Sequence, residues 1–425
     1  MTSSGSKVVV IGGGVIGAMC AWYLRGSGHE VTIVEKDRFG SACSHGNCGY
    51  VSPSHVFPLC QPGAIKNALP ALLSSKSPLA IRWKWSPALF RWLYKFARRC
   101  NAGDMMHSAV GRSALLNWSQ DLYKDLIASE KIECEWRENG LLFVFKDKSH
   151  FEHYGSTNDL IQNEFGIGAE PYAGDEVVEL EPSLLPGLGG GWYFRGDCHL
   201  RPDKLMASMK KRLQDLGIQL IESCQVKEFV RHGDTCSGVV VADGTKIDSD
   251  HFVVATGALT PFLNRHLGCD VEIQPGKGYS ITMPHPSHAP KIPMILEQHR
   301  VAITPMKTKY RIGSTMEFAG YDSSINRTRL AMLKTSSEYY LRTPHCAPIE
   351  EEWFGWRPMT WDGKPTIDRS PLMKNVWIAA GHNMLGLSMA TGTGKLVQQL
   401  IDGEQPSVDV GHYSLNRLKA VHSKS

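Results

Sequence analysis

The residues with the clearest chemistry lie near the start of the chain. Gly12, Gly14 and Gly17 follow the apolar run Lys7–Ile11 and open a helical stretch from Val15 to about Arg25. A buried strand, a glycine turn and a helix start, in that order, form a cradle for a pyrophosphate. Gly12 permits the tight turn, Gly14 lets the backbone approach the phosphates, and Gly17 lets the helix pack on the sheet. The leading amides of the helix, those of Val15 and Ile16 among them, meet the anion at the positive end of the helix dipole. A second apolar run, Glu30–Val34, delivers Glu35. A carboxylate about 20 residues beyond such a turn accepts hydrogen bonds from an adenosine ribose. It also repels a 2′-phosphate, which argues against NADP. Lys36 completes this group of expected contacts.

Two later segments favour FAD over a nicotinamide. Val253-Val-Ala-Thr-Gly257 returns a strand end and a glycine turn toward the pyrophosphate, so Ala255, Thr256 and Gly257 are expected at the cofactor, with Val226 from a preceding ribbon. Gly381-His382-Asn383-Met384-Leu385-Gly386-Leu387-Ser388 joins a strand to the last long helix. Reduced flavin is an anion with charge on N1 and the C2 carbonyl. A helix N-terminus aimed at that edge stabilises it and makes the oxidised ring a better hydride acceptor.

Composition sets the outer limits. The chain has 425 residues, enough for two or three domains, and a net charge of +4, too small to argue for nucleic acid. Its eleven cysteines show no CxxC and no Cys/His cluster at zinc spacing, so no metal site is expected. That pattern points to a reducing compartment. The apolar run after Lys7 leads directly into the glycine turn and reads as structure, not as a signal peptide. No stretch reaches the ~20 apolar residues of a membrane span.

The elements that must position these residues follow from periodicity. Residues 39 to about 86 form a long irregular stretch, which inside a compact domain is usually functional. Helices are expected at about 87–99, 110–129, 202–217, 326–341 and 386–403, and strands at 140–145, 218–221, 251–257 and 375–381. Residues 271–318 alternate as antiparallel strands do, with a turn at Lys277-Gly278. The expected fold class is α/β: a glutathione-reductase-like Rossmann domain plus a substrate domain of mixed or antiparallel sheet with helices. The first domain is discontinuous (1–55, 197–270 and 356–425). Segments 56–196 and 271–355 make the second.

The whole pattern resembles the D-amino-acid oxidase superfamily of FAD flavoproteins, and within it the bacterial D-amino-acid dehydrogenases of the "small subunit" type. Nearly the full chain takes part. The similar segments are Val8–Gly17, Ser44-His-Gly-Asn-Cys-Gly49 with Ser52-Pro53 and Gln61-Pro-Gly63, Asp197-Cys-His-Leu, Pro275-Gly-Lys-Gly-Tyr-Ser280, Gly355-Trp-Arg-Pro-Met-Thr360 with Asp362-Gly-Lys-Pro, and Gly381–Gly394. The resemblance implies oxidation of a Cα–N bond, with hydride passing from Cα to flavin N5 and the imino acid hydrolysing to a 2-oxo acid. D-amino acids are the implied substrates, cyclic ones such as D-proline or 4-hydroxy-D-proline included, with a quinone or other non-oxygen acceptor. An oxidase or N-dealkylating enzyme of glycine, sarcosine or related secondary amines is the alternative. A 2-hydroxy-acid oxidising flavoenzyme, and a flavin-binding protein without catalysis, are more distant ones.

This chemistry needs an arginine fork for the substrate carboxylate. Arg357 is the first candidate and Arg311 the second, with Tyr279 as a hydroxyl donor. His382 and His45 are the histidines expected beside the ring. Ser44, His45, Gly46, Asn47, Gly49, Arg357, Gly381, His382, Leu385, Gly386, Leu387 and Ser388 are expected around FAD, held non-covalently. Finally, Arg82, Trp83, Lys84, Trp85, Arg91, Trp92, Tyr94, Lys95, Arg98 and Arg99 form a basic, aromatic stretch with no acidic residue between Arg38 and Arg99. Such a helix can lie on an anionic membrane. The expected location is the cytoplasm, with peripheral contact to the inner membrane face through 79–99.

Overall fold

The protein is described by a computed structural model covering residues 5–66, 79–81 and 86–419. The first sheet has six strands in the order Thr366–Arg369, Val376–Ala380, His251–Val254, Lys7–Ile11, Glu30–Val34 and Gln219–Ile221. All pair in parallel except Thr366–Arg369. Val8, Val9, Val10 and Ile11 are all buried, as a central parallel strand covered on both faces must be. On one face pack the helices Val15–Gly26, Pro202–Asp215 and Ala390–Asp402. The other face is covered by the ribbon Val226–His232/Thr235–Val241.

The second sheet runs Glu351–Met359, Gln274–Met283, Tyr310–Phe318, Val301–Pro305, Met294–Leu296, Leu141–Phe145, Gly190–Phe194 and Glu170–Ala173, with Leu79–Ile81 also beside Tyr310–Phe318. Helix Arg327–Ser337 packs under it, and helix Lys148–Phe165 covers Leu141–Phe145 and Gly190–Phe194 on the opposite face. This mixed α/β architecture is the expected fold class.

Local differences from the sequence reading have identifiable causes. Lys277-Gly278 is not a turn: both residues lie inside the strand Gln274–Met283, paired to Trp356 and Gly355. The glycines there serve close approach, not chain reversal. The last helix starts at Ala390, not Gly386. Residues 386–389 form a turn, held where Leu387 O accepts from the Tyr123 hydroxyl (2.9 Å) and Ser388 Oγ donates to Tyr50 O (2.8 Å). The helix expected from Val110 begins at Ala102, where Asn101 caps it. Although it lies within the segment expected for the substrate domain, its Leu115, Leu116, Tyr123 and Leu126 join the dinucleotide core. Helix Lys148–Phe165 and strands Glu170–Ala173 and Gly190–Phe194 were not anticipated by periodicity.

The helix Pro87–Arg99 forms as its Ser86-Pro87 start dictates, with Ser86 Oγ accepting from Leu89 N. Leu89 and Trp92 are buried, and Trp92 Nε1 donates to Met359 O (3.1 Å). Phe90 and Tyr94 stay exposed. Glu272 pairs with Lys95 at 2.6 Å and with Arg91 at 3.1 Å, so part of the basic face is neutralised. Arg82, Trp83, Lys84 and Trp85 lie outside the described residues. No helix among the described residues is long and apolar enough to cross a membrane.

Candidate active site

A cavity of about 1770 Å³ is lined from both sheets. Small-ligand sites usually measure about 300–1,000 Å³, so this one has room for a dinucleotide and a substrate together. Its dinucleotide end is built as the sequence requires. Gly12 has φ +111°, and a Cβ there would lie 2.5 Å from Ala255 O, which places the turn tightly against the neighbouring strand end. Helix Val15–Gly26 has Gly14 at its N-cap, with no side-chain cap and no acidic residue in its first turn. Ser44 Oγ accepts from Val15 N (2.9 Å) and ties the following loop to the helix start. The Glu35 carboxylate is oriented by Gly13 N on Oε2 (2.7 Å) and Asp37 N on Oε1 (2.9 Å). The Val15 amide, expected to meet the anion, is thus taken by Ser44, but the glycine cradle, the remaining helix amides and the oriented carboxylate fit a flavin adenine dinucleotide.

Of the expected cofactor residues, Gly12, Gly14, Val15, Ile16, Glu35, Lys36, Ser44, Gly46, Asn47, Gly49, Val226, Ala255, Thr256, Gly257, Arg357, His382, Leu385, Gly386 and Leu387 line this cavity. Gly17, His45, Gly381 and Ser388 stand behind its wall. His382 is buried beside Thr393 Oγ1 (3.0 Å), and burial pushes its imidazole down to about 3. It is therefore neutral at working pH. The ring of His45 turns away to share a 2.6 Å hydrogen bond with Glu351, which raises its pKa.

The two candidate arginines separate cleanly. Arg311 is buried, and its fork is occupied: Nε donates to Thr282 Oγ1 (2.9 Å), Nη1 to Asn47 O (2.9 Å) and His45 O (3.3 Å), and Nη2 lies 3.5 Å from Glu351 and 3.7 Å from Asp203. It braces the loop 45–47 and is not on the cavity wall. Arg357 is on the wall. Its guanidinium lies across Gly278, where a Cβ would sit 2.3 Å from Cζ, and Nη1 donates to Thr315 O (2.7 Å). No carboxylate of the described residues is within ion-pair distance of it. Removal from water lowers its pKa, and the Cys43 and Cys48 thiols oppose that shift. A half-buried guanidinium that faces a cavity without an anion is poorly compensated, and a substrate carboxylate would supply the missing partner.

Tyr279 touches the cavity, but its hydroxyl donates to Glu317 Oε2 (2.5 Å). Alternation explains this. Gly276, Gly278 and Ser280 share the face that meets Arg357 and the loop at Gly46, while Tyr279, Ile281 and Met283 point into the opposite core.

The sequence reading missed His55, Tyr154, Arg300 and Arg112, all cavity-lining. Buried Arg112 donates to the carbonyls of His55, Val56, Phe57 and Gly363 at 2.7–3.1 Å and fixes this wall. The long irregular stretch flagged His55 and its neighbours; the other three carry no local signal.

Comparison with known proteins agrees with this geometry. The family model for FAD dependent oxidoreductases (DAO) matches residues 7–400. The D-amino acid dehydrogenases of Paramagnetospirillum magneticum and Bradyrhizobium diazoefficiens are 30% and 31% identical to this chain, each over 97% of it and over 99% and 98% of their own lengths. The crystal structure of glycine oxidase from Geobacillus kaustophilus superposes with a TM-score of 0.76 at 21% identity, covering 97% of this chain and 99% of that one. The chain is a member of the DAO family of FAD-dependent oxidoreductases.

Proposed function

We propose that this enzyme oxidises the Cα–N bond of D-amino acids to imino acids, which hydrolyse to 2-oxo acids, and passes the electrons to a quinone or another acceptor than oxygen. The observation that carries the reading is Arg357, a half-buried guanidinium on the wall of the cofactor cavity with no carboxylate partner among the described residues. Two relatives of nearly equal length named D-amino acid dehydrogenase support the substrate class. When bound, FAD supplies the hydride acceptor. Arg357 holds the substrate carboxylate and so fixes where Cα sits. Neutral His382 adds no charge to this wall of the cavity, so with FAD bound the backbone of the 386–389 turn would be left to favour the reduced state. The amine must be deprotonated before hydride leaves Cα, and no base is assigned. D-Proline and 4-hydroxy-D-proline belong to this class. The test is 2-oxo acid formation from D-amino acids with an artificial dye under nitrogen. Product from glycine or sarcosine alone would move the assignment to the oxidase or N-dealkylating alternative, which the glycine oxidase fold also accommodates.

Three further results are expected. Gly278→Ala forces the Arg357 guanidinium to move, because the added Cβ would meet Cζ, Nη1 and Nη2 at 2.3–2.4 Å. The guanidinium is the flexible end of a side chain, so flavin content holds while KM rises about tenfold, which steady-state kinetics will show. FAD is held non-covalently, since His45 turns its ring to Glu351 and away from the cavity. Acid precipitation should release all flavin to the supernatant, and flavin left in the pellet would refute this. The exposed Phe90 and Tyr94 with Arg98 provide a face for peripheral contact with an anionic membrane. Sedimentation with anionic vesicles at low salt checks it, and protein wholly in the supernatant would count against it.

A further inference from the structure

The cavity does not end at Arg357. It continues across the substrate sheet into a lobe walled by Phe143, Phe145, Tyr154, Ile295 and His55, with Arg300 at its rim. The rings form one cluster: His55 to Phe143 is 5.4 Å between centroids, Phe143 to Tyr154 is 5.8 Å, and Phe145 to Tyr154 is 5.2 Å. Strand register connects this lobe to the arginine. Gly313 pairs with Ala302, Ala302 with Ile295, and Ile295 with Phe143. Arg357 is bonded to Thr315, two residues along the same strand as Gly313. Ala302, on a strand between the two ends, lines the cavity with a small side chain.

We propose that this lobe is a side-chain subsite, and that the substrates it selects are amino acids with an aromatic or long apolar side chain. The inference rests on the amino-acid reading above and narrows it. Three strand spacings of ~4.8 Å, and two residues along the strand at ~3.3 Å each, separate the Arg357 anchor at Thr315 from Phe143, about 16 Å in all. A carboxylate hydrogen bond and a van der Waals contact at the two ends take up roughly 7 Å of this. About 9 Å remains, most of which only an aromatic or long apolar side chain spans at ordinary bond lengths. Glycine, alanine and proline leave that span empty.

The lobe also lacks a charge to offer a charged side chain. Arg300 is paired with Glu297 at 2.7 Å. His55 Nδ1 lies 3.4 Å from Ser54 Oγ, which bonds Asp197 at 2.5 Å. Burial together with Arg112 and Arg300 keeps the imidazole neutral, down to about 4. A wall of aromatic rings with a neutral polar edge suits apolar and aromatic groups.

The experiment compares anaerobic flavin reduction by D-phenylalanine, D-alanine and glycine in the holoenzyme and in the Ala302→Leu and Tyr154→Ala variants. D-Phenylalanine should exceed D-alanine in kcat/KM by about tenfold or more, the usual worth of extra apolar contact in a pocket. That ratio should fall several-fold in both variants. In parallel, the non-oxidisable 3-phenylpropionate should perturb the flavin spectrum at concentrations about tenfold lower than acetate does, and lose that advantage in the variants. Equal or better reduction by D-alanine or glycine, or a ratio unchanged in both variants, would overturn the subsite. Reduction by no amino acid would instead remove the D-amino-acid reading, and the 3-phenylpropionate titration would then still decide whether the lobe binds an aromatic group.

Discussion

Arg357→Lys should lower kcat/KM for D-amino acids by about 30- to 1000-fold, a loss of about 2–4 kcal/mol of transition-state binding, while bound flavin stays at the wild-type level. Lysine keeps the charge but replaces a planar fork with a single ammonium, and the bidentate contact that aligns the carboxylate is lost. The side chain lies across Gly278 and anchors to Thr315 O, both on the substrate sheet. None of the cradle around Gly12, Val15 or Glu35 depends on it. Flavin content and catalysis should therefore separate in this variant. Steady-state kinetics with an artificial acceptor and the flavin-to-protein absorbance ratio measure the two effects. Near-wild-type kinetics would remove Arg357 from the site.

Gly12→Ala should yield folded protein with less than about a tenth of the wild-type flavin, the consequence of losing somewhat more than 1.4 kcal/mol of cofactor binding. Two costs add. The backbone holds φ +111°, a conformation that costs a non-glycine residue about 1–3 kcal/mol. The new Cβ would also meet Ala255 O at 2.5 Å and Ala255 C at 2.9 Å, both backbone atoms of the neighbouring strand end. Neither can give way as a side chain would, so the turn must shift out of register with the phosphates. The visible absorbance of purified protein, with far-ultraviolet circular dichroism as the control for folding, reads the outcome. Full flavin occupancy would contradict the assigned role of the turn.

The comparison of these two residues with Arg311 shows where sequence reading stops. The cradle is local. Gly12, Gly14, Gly17 and the helix that follows are consecutive, and Glu35 lies one strand away, so spacing alone positions them. The Ser86-Pro87 helix start is equally local. The substrate end is assembled across strands that are distant in sequence. Arg311 and Arg357 both sit on the same sheet, and nothing near either one reveals its partner. Pairing to Thr282 turns Arg311 toward the loop 45–47, where carbonyls and acids consume its donors. Gly278 opposite Gly355 leaves space into which the Arg357 guanidinium lies. Tyr279 could have been placed better, because a strand alternates its faces and Gly276, Gly278 and Ser280 already mark the site face. Reading Lys277-Gly278 as a turn hid that alternation. His55, Tyr154 and Arg300 meet only because the loop after Ser54, the helix Lys148–Phe165 and the turn before Val301 converge on one lobe.

D-amino-acid oxidation is tested most simply by anaerobic flavin absorbance of the purified holoenzyme, titrated with matched D- and L-amino acids, glycine, sarcosine and a 2-hydroxy acid. Bleaching by D-amino acids and none by their L-isomers is expected, with colour restored by a quinone analogue faster than by air. Bleaching confined to glycine, sarcosine or a 2-hydroxy acid, or no bleaching at all, would contradict it.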